Sequence, residues 1–280
     1  MFTRPPQHPA LRGVVELLWV SQPRPVSARE LVIPTGQLHL AWRACGAPIR
    51  LGAAGEQVER AGVLGGARLE AHVHDTPHNT RSVGVMLCPG AAPRLFGETA
   101  RALAGRHTGL EALWGVDATR LQARLCEAER DEAALALVEE ALLMRLRFAA
   151  RPPGLREALS AIDGGASVGA AASLIGRSPR TLGVWFDEAI GLSPVAWARL
   201  RRLQRALRLA DAEPDWSTVA TRAGFADHAH LCREVRAIVG VTPTSWRAGR
   251  HGGPNHLPIS ASDSFKPHAP TGGTDDTTPR

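Results

Sequence analysis

The spacing of hydrophobic positions changes along the chain, and the changes separate regions of different expected structure. From about residue 10 to 90, short apolar runs such as VVELLWV and RSVGVMLCPG are separated by glycine and proline. In ARLEAHVH, Leu69, Ala71 and Val73 alternate with polar residues, which is the period of a half-buried strand. This pattern predicts an antiparallel β sandwich or barrel.

The period becomes helical after about residue 91. Leucine and valine recur at helical intervals between Leu121 and Leu146, and Pro152 and Pro153 then interrupt the pattern. We therefore predict an α+β protein. Residues 1–150 form an amino-terminal domain in which helices accompany the antiparallel β barrel or sandwich, and residues 151–250 form an all-α domain. Residues 251–280 have few apolar side chains and many Pro, Gly, Ser and Thr, so we expect a disordered tail.

The all-α region contains one pattern of helix boundaries twice. Gly176 and Ser178 recur as Gly224 and Asp227 after 48 and 49 residues, and the GLSP segment recurs as GVTP. Glycine permits the positive φ of a tight turn, and serine or aspartate caps the helix that follows. The repeat predicts two helix-turn-helix units with second helices over 179–190 and 228–239. The segment PVAWARLRRLQRALRLAD between them predicts a linker helix.

Two adjoining segments of this region are specific to one family. GRSPRTLGVWFDEAIGLSPVAWARLRRLQRALRLA and STVATRAGFADHAHLCREVRAIVGVTPTSWR resemble the DNA-binding domain of the AraC/XylS family in order and spacing, over about residues 155–250. The resemblance implies a transcriptional regulator whose two units enter successive major-groove segments of double-stranded DNA. RNA polymerase is a further partner that it implies.

The amino-terminal region has a weaker resemblance over residues 10–148. VIPTGQLHLAW, GVMLCPGAA and LEALWGVDATRLQARL are similar to the cupin-like sensor domain found in a subgroup of AraC-type regulators. This resemblance implies a small-molecule effector and a homodimer.

The resemblance also assigns base contacts on the second helix of each unit. The first unit departs from the family pattern, because Gly183 has no side chain and Val184 replaces a common arginine. We therefore expect the second unit to supply most of the base recognition and the first to position the protein. The expected base contacts are Arg180, Val184, His228, Ala229, His230 and Arg233.

A second group of residues is expected to contact the DNA backbone. Helix N-termini and arginine side chains both favour phosphate. The expected backbone contacts are Arg177, Ser193, Arg199, Arg202, Arg236, Thr242 and Arg247.

Charge and cysteine content change this picture little. The net charge is +6, and Lys266 is the only lysine. An arginine bias suits phosphate and guanine, but it also arises in GC-rich genomes. The four cysteines include no CxxC pair, so reduced thiols and a cytoplasmic location are expected. No segment is typical of a signal peptide or a membrane span.

Two enzymatic alternatives stay open at this point. His72 and His74 share one face of a strand, with His78 nearby, which is compatible with a cupin-type metal-binding enzyme whose helical region is an interaction module. No carboxylate follows at a suitable distance, so we interpret them as exposed strand histidines and expect no metal or other cofactor. An alkylation-repair methyltransferase would need an activated cysteine, and no cysteine has a recognisable setting of that kind. We expect no catalytic residues and no enzymatic activity.

Overall fold

The computed structural model describes residues 1–22, 29–44, 48–51, 57–75, 80–249 and 255–258. The strands in these residues are β1 (Phe2–Arg4), β2 (Val15–Ser21), β3 (Arg29–Val32), β4 (His39–Ala44), β5 (Ile49–Leu51), β6 (Gln57–Glu59), β7 (Val63–Gly65), β8 (His72–Asp75), β9 (Arg81–Leu87), β10 (His107–Gly109) and β11 (His256–Pro258). The α-helices are α1 (Ala92–Phe96), α2 (Ala100–Leu103), α3 (Leu110–Trp114), α4 (Val116–Glu127), α5 (Asp131–Arg145), α6 (Leu155–Asp163), α7 (Val168–Leu174), α8 (Pro179–Ile190), α9 (Pro194–Leu209), α10 (Trp216–Ala223), α11 (His228–Val239) and α12 (Pro243–Gly249).

The larger sheet of the amino-terminal region has the order β1-β2-β9-β4-β7-β10 and is antiparallel throughout. Leu18, Val20, Leu40 and Trp42 alternate with more exposed positions and are fully buried. They belong to one apolar core with the leucine and valine side chains of α4 and α5. Burial of this face explains why β2 and β4 alternate, and the prediction of antiparallel β structure with accompanying helices is confirmed.

A smaller sheet, β11-β3-β8, joins the two halves of the molecule. Leu31 lies opposite Val73 on one side and Leu257 on the other, so the three side chains share a face. That face packs into the core of the second helix-turn-helix unit. The opposite face of the small sheet includes Glu30 and His74, which also lie directly opposite each other.

Strand β11 corrects one expectation. The disorder expected for residues 251–280 is wrong for residues 255–258, because Leu257 is only 4% exposed and the Asn255 carbonyl accepts a hydrogen bond of 2.8 Å from the Ile33 N–H. Local composition cannot reveal this strand, since its partner lies more than 200 residues earlier in the chain. The remaining positions of the expected tail lie outside the described residues.

The helix boundaries of both helix-turn-helix units follow the repeated residues. Ser178 accepts a hydrogen bond from the Thr181 N–H, and Asp227 accepts one from the His230 N–H. The turn glycines Gly176 and Gly224 have φ values of 63° and 88°. These values lie in the left-handed region that non-glycine residues avoid, and the two predicted helices over 179–190 and 228–239 are confirmed.

Helix α9 is shared by the cores of both units. Trp197 belongs to the core of the first unit, whereas Leu200, Leu203 and Leu207 belong to the core of the second. The buried Gln204 side chain also donates a hydrogen bond of 2.7 Å to the Pro34 carbonyl. The linker helix is therefore in contact with the amino-terminal region as well as with both units.

Gly183 within α8 and Gly191 just after its end provide a matched test of this helix. A Cβ at Gly183 would meet no heavy atom within 4 Å, whereas a Cβ at Gly191 would lie 2.7 Å from the Ala100 carbonyl oxygen, and Gly191 has φ +81°. We expect Gly183→Ala to raise the free energy of unfolding by about 0.5–1 kcal/mol and Gly191→Ala to lower it. Urea denaturation measures both, and a loss of stability in Gly183→Ala would contradict this account of α8.

Candidate DNA-binding interface

Helix α11 separates a buried face from an exposed one. Leu231 and Val235 are fully buried, whereas His228, Ala229 and Arg233 are exposed. Arg233 makes no side-chain hydrogen bond or ion pair with any residue that the structure describes. Glu234, the next residue along α11, pairs with Arg199, and Asp187 on α8 pairs with Arg101. The guanidinium of Arg233 is therefore available to an external acceptor.

The Arg199 guanidinium is paired within the protein, which differs from the phosphate contact expected for it. Its Nε and Nη2 atoms donate hydrogen bonds of 3.1 Å each to the two carboxylate oxygens of Glu234. This bidentate pair joins the linker helix to the recognition helix α11, and the Glu234 side chain is mostly buried. The arrangement fixes the orientation of the face that displays Arg233.

The two histidines at the start of α11 differ in their surroundings. His228 is exposed, and its Nε2 atom lies 3.3 Å from Cys232 Sγ. His230 is half-buried, accepts a hydrogen bond of 3.4 Å from the Ala226 N–H at Nδ1, and places its ring edge-to-face on Phe225. His230 thus stabilises the turn before α11, which leaves His228 as the more accessible polar ring.

Helix α8 presents fewer polar groups on its outer face. Arg180 is exposed, and the Val184 side chain is 52% exposed, while Leu182 and Phe186 are buried. Arg177, just before the helix, is exposed with its guanidinium 5.7 Å from the Trp185 ring centroid. The outer face of α8 therefore has cations at its amino-terminal end and an apolar side chain farther along.

The other expected backbone contacts lie at helix boundaries or against aromatic rings. Arg202 packs 4.8 Å from the Phe225 ring centroid. Arg247 lies 4.0 Å from the Trp216 ring centroid, and donates a hydrogen bond of 2.8 Å to the Glu213 carbonyl. Arg236, in the last turn of α11, is exposed, while Ser193 and Thr242 cap α9 and α12 by accepting from the N–H groups of Ala196 and Ser245.

Asp163 is a positioning residue that the sequence analysis missed. One of its carboxylate oxygens accepts hydrogen bonds from Trp197 Nε1 at 3.0 Å and from Arg201 Nε at 3.1 Å. The carboxylate therefore ties the end of α6 to the linker helix. Nothing in the local sequence identifies this role, because its partners are 34 and 38 residues away.

Two family models match the chain, one in each half. The model described as a helix-turn-helix domain covers residues 171–249, which includes α8, the linker helix and α11. With the repeated caps and turn glycines, this match decides the assignment. The carboxy-terminal region is an AraC-type helix-turn-helix domain. The chain is thus a DNA-binding transcriptional regulator, and the cupin-type enzyme is not supported.

The other model and several solved structures give the wider comparison. Residues 3–109 match a domain of unknown function, DUF6597. ToxT from Vibrio cholerae is 11% identical over 82% of this chain and 97% of its own, with a TM-score of 0.46. A regulator with an AraC-type domain from Chromobacterium violaceum is 27% identical over 34% of this chain and 90% of its own, with a TM-score of 0.33. A probable AraC family regulator from Rhodopseudomonas palustris is 28% identical over 33% and 92%, with a TM-score of 0.30. No curated protein matches the chain.

Both units of the AraC-type domain contact the amino-terminal region. At α8, Asp187 pairs with Arg101 at 3.1 Å, and the Ala189 carbonyl accepts a hydrogen bond from the Gly90 N–H. At α11, the Ile238 carbonyl accepts a hydrogen bond of 2.8 Å from the Ala71 N–H. A change in the amino-terminal region therefore has a direct route to each recognition helix.

The histidines of β8 are not exposed, which corrects the expectation from the sequence. His72 and His74 are half-buried and face the larger sheet, where the His72 and His107 ring centroids are 4.8 Å apart. Burial, followed by the positive charge of His256, lowers the pKa of His74 to about 3. Burial, followed by the charge of Arg68, lowers the pKa of His107 to about 2. The space between the sheets thus holds neutral imidazoles. His78 lies outside the described residues.

The cysteine positions give no support to a methyltransferase. Burial, with a smaller contribution from Glu16, raises the pKa of the Cys88 thiol to about 11. A nucleophilic cysteine needs the opposite shift, since the thiolate is the reactive form. Cys45 lies outside the described residues.

Among the helices that the structure describes, none is both long and apolar enough to cross a bilayer.

The buried histidines predict that the protein loses stability in mild acid. Burial, followed by the charge of Arg68, lowers the pKa of His39 to about 4, whereas an unfolded chain has a histidine pKa of about 6.5. Between these two pH values, His39 therefore binds a proton in the unfolded state but stays neutral in the folded state. We expect stability to fall as pH drops from about 6.5 toward 4, by up to about 1.4 kcal/mol per pH unit from this group.

Urea denaturation at several pH values, with His39→Gln compared against His8→Gln, measures this contribution. His8 is exposed near the amino terminus. The His39→Gln protein should show a shallower decline than the wild type, and the His8→Gln protein should not. An unchanged slope in His39→Gln would contradict the assignment.

Proposed function

We propose that this regulator recognises its operator mainly through the second helix-turn-helix unit, while the first unit positions the protein on the DNA. The observation behind this proposal is the contrast between the two exposed faces. On α11, Arg233 and His228 offer polar groups, whereas on α8 the corresponding surface holds Gly183 and Val184.

The chemistry of Arg233 suits direct recognition of a base pair. An arginine fork donates two hydrogen bonds to O6 and N7 of guanine in the major groove, and such a pair contributes about 1–3 kcal/mol of discrimination. The Arg199–Glu234 pair supports this role because it holds α11 against the linker helix. We assign Arg199 to positioning, and His228 and Ala229 to the base edges beside Arg233, with His230 as a neighbour of that surface.

The first unit is better suited to phosphate than to bases. Arg177 and Arg180 are exposed around the amino-terminal end of α8, where the helix dipole also favours an anion. Val184 can contact a thymine methyl group but donates no hydrogen bond. Arg236 on α11, Arg247 on α12 and Arg202 on α9 are proposed phosphate contacts, and so are Ser193 and Thr242, which cap α9 and α12.

Substitution of two arginines on α11 separates the two kinds of contact. We expect Arg233→Ala to lower affinity for the preferred operator by the equivalent of about 1–3 kcal/mol and to relax base preference at one position. Arg236→Ala should weaken binding to all sequences similarly and reduce the slope of log affinity against log salt by about one unit. Selection from a random DNA library, followed by salt titrations on the selected site, measures both effects.

Arg120→Ala provides the matched control, because Arg120 is an exposed arginine on α4, outside the AraC-type domain. Its base preference and salt slope should equal those of the wild type. If Arg233→Ala retained the wild-type base preference, the second unit would not be the main base-recognising unit. Thermal melting of each variant distinguishes a lost contact from a lost fold.

We propose that the amino-terminal domain regulates the DNA-binding domain in response to a small-molecule effector. Arg68 Nε and His72 Nδ1 are buried between the sheets with no hydrogen-bond partner among the described residues. A ligand with hydrogen-bonding groups there would satisfy them, and the contacts to α8 and α11 would transmit the change. Thermal-shift measurements with small carboxylic acids on the wild type and on Arg68→Met test this site.

We propose that an exposed apolar surface at the end of α5 mediates self-association. Met144 and Phe148, at and beyond the end of α5, are 76% and 99% exposed, which favours a homodimer through this end of the domain. Sedimentation velocity of the purified chain tests it. We further propose that the protein acts in the cytoplasm, contacts RNA polymerase at its promoters, and catalyses no reaction.

A further inference from the structure

We infer that Glu30, His74 and His256 form a binding site for a divalent transition-metal ion, with Zn²⁺ as the best-suited probe. The three side chains come from β3, β8 and β11, which are adjacent strands of the small sheet. Their ligand atoms all lie within 4.8 Å of one another. Two imidazoles and one carboxylate are a ligand set typical of zinc sites that keep one coordination position open.

The register of the small sheet brings these residues together. Glu30 lies directly opposite His74 on β8, and His256 lies opposite Val32, two residues along β3 from Glu30. Because side chains two residues apart share a face, all three project from the face that lies away from Leu31 and the helix-turn-helix core. The site is therefore a consequence of strand pairing and requires no rearrangement of the backbone.

The distances between ligand atoms are close to those that a tetrahedral ion requires. Glu30 Oε2 is 3.0 Å from His256 Nδ1 and 3.7 Å from His74 Nε2. Ligands at about 2.1 Å from a tetrahedral zinc ion are about 3.4 Å apart. The ligand atoms of the third pair, His74 and His256, are at most 4.8 Å apart and must approach to about 3.4 Å. A side-chain rotation can supply this, because His256 is exposed.

Charge in the surroundings also bears on the choice of ion. Arg43 and His39 face His74 from the larger sheet, and His256 faces it from β11. A divalent cation must be held against the Arg43 charge, so the single Glu30 carboxylate is essential for the site. Imidazole ligands favour zinc, nickel, copper or cobalt over magnesium and calcium, which prefer oxygen donors.

An ion at this site would fasten β11 to the amino-terminal domain. His256 follows α12, and the neighbouring Leu257 is buried in the core of the second helix-turn-helix unit. The ion would therefore join β3 and β8 to the segment that leaves the DNA-binding domain. The site differs from the proposed effector contacts, because Arg68 and His72 are not among its ligands.

Zinc titration of the untagged, full-length protein, freed of metal by chelation, tests the assignment. Isothermal titration calorimetry should show one Zn²⁺ per chain, and Co²⁺ substitution should give the intense visible absorption of a four-coordinate site. Zinc should also raise the melting temperature. We expect His256→Gln, His74→Gln and Glu30→Gln each to weaken zinc binding by at least roughly tenfold. The loss of a residue that only hydrogen-bonds to a ligand already has an effect of this size, and these three are the ligands themselves.

Two variants control the experiment. His8→Gln removes an exposed histidine that is not among the three ligands and should leave zinc affinity and the melting shift unchanged. His256→Gln is the decisive variant because it changes an exposed residue on an edge strand, so the fold should persist. Circular dichroism of each variant without metal confirms the fold before titration.

The possible results are clear-cut. One zinc ion per chain that is lost in His256→Gln and retained in His8→Gln supports the site. No stoichiometric zinc binding by the wild type, or equal binding by wild type and His256→Gln, overturns it. Loss of binding in His72→Gln with retention in His256→Gln would also overturn this ligand set, because it would place the ion beside His72 and His107, which face each other between the two sheets. None of these measurements involves DNA, so they are independent of the proposed operator recognition.

Discussion

Burial of the linker helix α9 is the constraint on which the rest of the DNA-binding architecture depends. One apolar stripe serves two cores, with Trp197 in the first unit and Leu200, Leu203 and Leu207 in the second. Neither unit can bury its apolar face without this helix, so the two recognition helices are held in one fixed relation. Polar contacts reinforce the geometry, because Asp163 holds α9 to α6 while Glu234 holds it to α11.

The same helix extends the constraint to the amino-terminal region. Gly36, with φ +80°, lies so close to Trp197 and Leu200 that an added Cβ would be 2.9 Å from each side chain. Gln204 bridges from α9 to the Pro34 carbonyl and to the Asn255 side chain. The amino-terminal region, the linker helix and the residues after α12 therefore meet at one place. A regulatory signal needs no long pathway between the domains, because the contacts are direct.

The small sheet β11-β3-β8 has chemically different faces with different consequences. One face is apolar and completes the core of the second unit. The other holds Glu30, His72 and His74 opposite the larger sheet, where burial lowers the pKa of both histidines and keeps them neutral. A buried polar atom without a partner is costly, and His72 Nδ1 and Arg68 Nε are two such atoms among the described residues, so a ligand there would stabilise the fold. This polar interior distinguishes the amino-terminal region from an ordinary sandwich core.

The sequence by itself determined the AraC-type domain almost completely. Its helices are specified by local features, namely the caps Ser178 and Asp227 and the turn glycines Gly176 and Gly224, whose effects extend over only a few residues. The alternation in ARLEAHVH and the short apolar runs between glycine and proline likewise predicted antiparallel β structure, because a buried face imposes a period of two.

Only the tertiary structure decided which side chains are available for function. Arg199 and Arg233 are both arginines on helical surfaces in the sequence, yet Glu234 binds one and leaves the other exposed. Strand β11 and the grouping of Glu30 with His74 and His256 arise from pairing between segments up to 226 residues apart. Composition and periodicity report what one segment prefers, whereas strand pairing and ion pairs depend on which distant segment lies beside it. For this reason the fold of the DNA-binding domain could be predicted, but the tail strand and the candidate metal site could not.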